Sequence, residues 1–157
     1  MFIRLLAAGT KPPQWVSTAY GEYAKRLPRE CRLELQEMPV LRRARSSPVE
    51  AIRRKEGEKM LQAVPARSHV VALDVGGKQW STEGLSAQLG RWMSNMSSIT
   101  LMIGGPDGLS PECLQRADTK WSLSELTFPH LLVRVMVAEQ IYRAWTVMQG
   151  HPYHRGG

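Results

Sequence analysis

Apolar and polar residues recur along this chain with two periods, and the two kinds of segment alternate. Ile3 to Ala8 is a short apolar run that stops at Gly9, which predicts a strand. Thr10-Lys11-Pro12-Pro13 predicts a helix start, with proline in the first turn. Trp15, Ala19, Tyr23 and Leu27 form its expected buried stripe, and Pro28 ends it. Cys31 to Met38 sets Leu33 and Leu35 on one face and Glu34 and Gln36 on the other, as in a half-buried strand. Ser47-Pro48-Val49-Glu50 reads as a capping box before a helix through Ile52, Glu56, Met60 and Leu61 to Pro65. His69 to Val75 is almost wholly apolar, as a strand covered on both faces of a parallel sheet would be, and Gly76-Gly77 is expected to break it. Ser81 to Asn95 predicts an amphipathic helix with Leu85, Leu89, Trp92 and then Met96 on its apolar face. Ser98 to Ile103 predicts a second central strand, ended by Gly104-Gly105-Pro106. Ser110-Pro111-Glu112 opens a short helix, Trp121 to Leu126 is a short extended stretch, and His130 to Gly150 is a long helix apolar almost all round. Such a helix needs apolar partners on two sides; a homodimer interface and a fully interior position both satisfy it.

Alternating strands and helices imply an α/β fold, a mainly parallel sheet flanked by helices. The length of 157 residues fits one domain, 1–157, able to fold without disulfide or metal. Cys31 and Cys113 are far apart, with no CxxC and no histidine at ligand spacing, so no metal is expected and a reducing cytoplasm fits. The apolar N-terminal segment is too short for a signal peptide, and no run approaches a membrane span, so no membrane partner is expected.

Charge adds a partner. Of the formal net charge of +7, +6 falls between Lys25 and Lys55. A solvated face would account for this; so would an anionic partner, above all nucleic acid. In open α/β sheets ligands bind beyond the carboxyl ends of the strands. Two such ends here carry glycine pairs, Gly76-Gly77 and Gly104-Gly105, which read either as tight turns or as points of close ligand approach. Neither is a GxGxxG or GxxxxGK[ST] element, so a standard dinucleotide or nucleoside triphosphate site is not expected. No familiar catalytic set stands out; His130 after Pro129 reads as a capping or core histidine. The tail His151-Pro152-Tyr153-His154-Arg155 is either a frayed terminus or a group that stacks on a base and grips phosphate.

Several stretches together resemble one family: Val71-Ala72-Leu73-Asp74-Val75-Gly76-Gly77-Lys78, Leu101-Met102-Ile103-Gly104-Gly105-Pro106-Asp107-Gly108-Leu109, Trp121-Ser122-Leu123-Ser124, Pro129-His130-Leu131-Leu132-Val133-Arg134-Val135, Ala138-Glu139-Gln140-Ile141-Tyr142-Arg143-Ala144-Trp145 and the HPYHR tail. Ala8-Gly9-Thr10-Lys11 and Tyr23-Ala24-Lys25-Arg26 fit as well. The pattern resembles the RlmH family of SPOUT-class methyltransferases over essentially the whole chain. Leu132 stands where some relatives have proline, and the Gly156-Gly157 that follows the tail motif is expected to leave it undisturbed. The resemblance implies an α/β knot in which the C-terminal part threads a loop as a trefoil, a topology that general folding rules would reject. It implies a cytoplasmic homodimer that uses S-adenosylmethionine to methylate N3 of a pseudouridine in 23S rRNA on the assembled ribosome.

Carried over residue by residue, the resemblance assigns cofactor binding to Leu73, Gly104, Gly105, Ser124, Glu125, Leu126, Thr127, Phe128 and Pro129. It assigns the methyl-acceptor site to Tyr153, His154 and Arg155, supported by Glu139 and Arg143. Arg155 is expected to stabilise the deprotonated base, with Glu139 or His154 taking the N3 proton. Arg42, Arg43, Arg45, Arg53, Arg54 and Lys55 are expected to hold the rRNA backbone. Two other functions fit the charge: a non-catalytic RNA-binding ribosome assembly factor on the same scaffold, and a related knotted methyltransferase acting on tRNA.

Overall fold

Strands buried on both faces must be apolar at successive positions, and the central strands are so in three dimensions as in sequence. The computed structural model describes residues 1–156; Gly157 lies outside the described residues. Among these, five strands form one sheet: β1 (Phe2–Ala8), β2 (Arg32–Met38), β3 (His69–Lys78), β4 (Ser98–Ile103) and β5 (Thr119–Trp121). Their order is β2-β1-β4-β3-β5 and every pairing is parallel, with Ile3 beside Leu33 and Ile99, and Val71 beside Leu101. Five α-helices join them: α1 (Gln14–Ala24), α2 (Val49–Gln62), α3 (Thr82–Asn95), α4 (Pro111–Arg116) and α5 (His130–Met148).

The period of two along each strand divides the core into two layers. Ile3, Leu5, Ala7, Val71, Ile99, Leu101 and Ile103 pack under Val16 of α1, Leu85, Leu89 and Trp92 of α3, and Val137, Ala138 and Ile141 of α5. Leu6, Ala8, Val70, Ala72 and Met102 face the other way, onto Met60 of α2 and Cys113 of α4. Helix α5 packs against both α1 and α3. It starts beside the carboxyl end of β1, where Arg134 bonds the Ala8 and Gly9 carbonyls, and runs back toward the other end of the sheet.

Several element ends differ from the sequence expectation, each for a local reason. Pro12 and Pro13 precede α1 rather than open it: Pro13 is the cap, and its carbonyl accepts from the Val16 amide. A residue before proline is pushed out of the helical region, which keeps Pro12 extended. The α1 stripe is shifted, with Val16 and Tyr20 buried while Trp15 is 56% exposed. Ser47 does not cap α2; its hydroxyl accepts from the Ala44 amide in a turn of the preceding loop, and Pro48 takes the cap position. Helix α4 does open at Ser110-Pro111 as expected, and the Ser110 hydroxyl caps it by accepting from the Cys113 amide at 3.2 Å. Gly76-Gly77 does not end β3, which runs on to Lys78 through a register shift against β5. A side chain at Gly77 would come within 2.6 Å of the Lys120 backbone, so glycine is what permits the two strands to close there. The extended stretch expected at Trp121 to Leu126 is strand only as far as Trp121, and Met96 is an exposed cap residue, not core.

Candidate active site

Strands β3 and β4 deliver their carboxyl ends to one side of the sheet, and the segment after β5 crosses in front of them. Between them lies a cavity of about 580 Å³, lined by Leu73 and Asp74 from β3, Gly104, Gly105 and Gly108 from the turn after β4, Ser124 and Leu126 to Pro129 from the crossing segment, and His130 and Val133 from α5. Its size suits a ligand of cofactor dimensions. Eight of the nine residues expected in a cofactor site are therefore brought together; Glu125 is exposed and absent from the wall.

The chemistry of the wall is selective. In a chain of net charge +7, no lysine or arginine is among the described lining residues, and Asp74 is the one carboxylate. That wall has nothing to neutralise a polyphosphate. It accommodates a neutral or cationic ligand held by backbone groups, hydroxyls and apolar contacts. His130 completes it: burial first, then the Arg134 and Arg43 charges, hold its pKa below the ordinary histidine value, so the imidazole is neutral near pH 7. The residue expected to cap or fill a core thus borders the pocket.

Behind the pocket, Arg134 is fully buried. Its guanidinium donates to Glu37 Oε2 at 2.7 Å and to the carbonyls of Ala8 and Gly9 at 3.1 and 3.0 Å. The start of α5, which carries His130 and Val133, is thereby fastened to the ends of β1 and β2. The sequence reading missed this role. An arginine at a position otherwise flanked by Val133 and Val135 was the signal, because a charge in an apolar stretch has to find a buried partner.

The basic segment divides into two kinds of arginine. Arg42, Arg45, Arg54 and Lys55 are exposed. Arg43 turns inward, donating Nε to Asp107 Oδ2 at 2.6 Å and Nη2 and Nη1 to the two oxygens of buried Glu56 at 2.8 and 3.0 Å. Hydrogen bonding to Glu56 raises the Arg43 pKa above its already high ordinary value, so its charge is permanent. Arg53 pairs with Glu50 and donates to the Asp107 carbonyl. Arg43 and Arg53 are therefore engaged within the chain, contrary to the expectation that all six cations face an RNA backbone.

The tail is ordered by α5. It forms a short 3₁₀ turn, Pro152–Gly156, in which the Tyr153 hydroxyl donates to Glu139 Oε1 at 3.1 Å. Arg143 donates to the same oxygen at 2.8 Å, and Gln140 donates to Oε2 at 2.7 Å. Tyr153 also packs edge-on against Tyr142, 4.7 Å between ring centres, and lies under the Arg143 guanidinium. Burial, then the Glu139 carboxylate, push the Tyr153 phenol up to about 12, so it remains a donor. Three donors on its two oxygens make Glu139 the anchor of the tail. His154 has a buried Nδ1 without a partner among the described residues, and Arg155 is exposed. Within one chain the tail and the pocket do not meet: from His130 to Glu139 the helix rises about 14 Å.

Among the described residues no cluster of histidine, cysteine, aspartate or glutamate could hold a metal. No described helix is long and apolar enough to cross a membrane.

A parallel α/β sheet with a weakly charged pocket at its strand ends, closed by the segment leading into the last helix, defines a class. Residues 1–154 match the family model described as "Predicted SPOUT methyltransferase", and the chain belongs to that family. At finer grain it is 52% identical to the ribosomal RNA large subunit methyltransferase H of Marinomonas sp., across 99% of this chain and 100% of the relative. It is 53% identical to the protein of the same name from Methylococcus capsulatus, with the same coverage, and 52% identical to that of Hahella chejuensis, across 99% of each.

Proposed function

We propose that this protein is an S-adenosylmethionine-dependent methyltransferase that methylates N3 of a pseudouridine in 23S rRNA on the assembled ribosome. The observation that carries the reading is the pocket, with no lysine or arginine among its described lining residues in a basic protein, at the strand ends of a SPOUT-family fold. The names of the relatives support large-subunit rRNA as the substrate. When bound, S-adenosylmethionine supplies an electrophilic methyl group on a sulfonium. Backbone groups around Leu73, Gly104 and Gly105 and the Ser124 to Pro129 segment would hold that group, and Asp74 and neutral His130 add no repulsion to its positive charge.

The tail residues act on the acceptor base. Tyr153, fixed through Glu139 and Arg143, orients the turn that carries His154 and Arg155. Arg155 lowers the cost of the anionic base, and His154 or Glu139 takes the N3 proton. Tail and pocket lie apart along α5, so one protomer's tail serves its partner's pocket in a homodimer. The partly exposed Leu132 and Met136, one turn apart on α5, support that interface. The trefoil knot, a single domain over residues 1–157 and a cytoplasmic location belong to the same proposal.

A non-catalytic assembly factor would need no such pocket. Calorimetry with S-adenosylmethionine separates the two: measurable binding supports the enzyme, and its absence returns the chain to the factor. In the enzyme, Arg155→Ala abolishes methyl transfer to ribosomes while cofactor affinity persists. Near-normal turnover of that variant would remove Arg155 from the mechanism.

A further inference from the structure

The turn after β4, Gly104-Gly105-Pro106-Asp107-Gly108, is closed by the Gly108 amide donating to the Gly105 carbonyl at 3.0 Å; that bond shapes the turn but does not fix how it is held against the neighbouring elements. The turn forms one wall of the pocket. Asp107 is its one polar side chain, and both its carboxylate and its carbonyl are held by arginines from outside the turn. Arg43 is itself held. Its fork meets both oxygens of Glu56, and the Leu41 amide donates to the same carboxylate at 2.7 Å. A bidentate pair of this kind fixes orientation as well as distance.

We propose that Arg43 and Arg53 are positioning residues of the cofactor pocket, acting through Asp107 to hold the glycine turn in its binding shape, and not contacts to RNA. The inference rests on the methyltransferase reading. It divides the basic segment by role: Arg42 and Arg45 flank Arg43 on the surface, while Arg43 points back to the pocket wall. Lysine could not substitute fully at Arg43, because a single ammonium lacks the planar fork that meets two carboxylates at once.

The test compares two affinities across Arg43→Gln, Asp107→Asn, Arg53→Gln and Arg42→Gln. S-adenosylmethionine affinity is read by calorimetry, and ribosome affinity is read as a function of salt. Arg43→Gln is expected to weaken cofactor binding about tenfold while the salt slope of ribosome binding stays at the wild-type value. Arg42→Gln is expected to do the reverse, reducing the slope by about one and leaving cofactor affinity alone. Should Arg43→Gln fail to fold through loss of the Glu56 pair, Asp107→Asn and Arg53→Gln keep that pair and are expected to weaken the cofactor severalfold. A combined Arg43→Gln/Asp107→Asn variant should bind no more weakly than Arg43→Gln alone, because both act on one link. Wild-type cofactor affinity in all of these variants, or a reduced salt slope in Arg43→Gln, overturns the proposal. Absence of cofactor binding in the wild-type protein overturns the methyltransferase reading instead.

Discussion

Gly104 and Gly105 are adjacent, both border the pocket, and face different neighbours. A side chain at Gly104 would lie 2.4 Å from the Gly108 carbonyl carbon and 2.5 Å from the Leu109 amide, rigid backbone atoms that cannot yield. At Gly105 the nearest atoms, in Ala8, Glu56 and Val40, stand at 3.5 to 3.8 Å, which is ordinary contact. Gly104→Ala should therefore cost about 2 kcal/mol or more of stability and lose cofactor binding, whereas Gly105→Ala should stay within about 1 kcal/mol of wild type. Urea unfolding and calorimetry check both, and equal effects would contradict the distinction. At this scale much of the site was legible. Leu73, Gly104, Gly105 and most of the Ser124 to Pro129 segment stand where strand ends and family pattern expected them. Glu125 was not separable from its neighbours, because the pattern marks a segment and only the fold says which side chains face inward. Arg43 shows a related limit: sequence displays a charge, but its partner Asp107 lies 64 positions away.

At the scale of elements, the joint between α5 and the sheet decides whether the pocket exists. Arg134 makes that joint with one carboxylate and two carbonyls, from full burial. Removing one partner of such a pair leaves the others without their donor, so Arg134→Met should destabilise the protein by about 3 kcal/mol. Adding Glu37→Gln should recover part of that loss, since the stranded carboxylate is then gone. Urea unfolding of the two variants tests this, and an unchanged midpoint for Arg134→Met would contradict it. The elements themselves were largely readable from period alone: β4 matches at both ends, and α3 and α4 begin within one residue of their expected starts, at caps formed by Ser81 and Ser110. The misplaced ends follow from competition that periodicity cannot display. Pro12 and Pro13 fit a first turn, yet consecutive prolines favour extended backbone, so α1 begins after them and its stripe moves from Trp15 to Val16. Ser47 had the spacing of a cap but is taken by the Ala44 amide.

For the whole molecule, charge and pocket are arranged in separate regions. Exposed cations at Arg42, Arg45, Arg54 and Lys55 suit a phosphate backbone, while the described lining of the cavity carries one carboxylate and no cation. That separation suits an enzyme that holds a large anionic substrate and a small cationic cofactor at once. A parallel sheet flanked by helices was legible from alternation of the two periods. The way the last helix returns between α1 and α3, and the distance it sets between tail and pocket, were not, because local patterns carry no information on which helix inserts between which. The reaction is tested by mass-spectrometric mapping of modified nucleosides in 23S rRNA from cells with and without this protein. A pseudouridine methylated at N3 is expected with the protein, missing without it, restored by the wild-type chain and not by Arg155→Ala. An identical set of methylated nucleosides in both cell lines would contradict it.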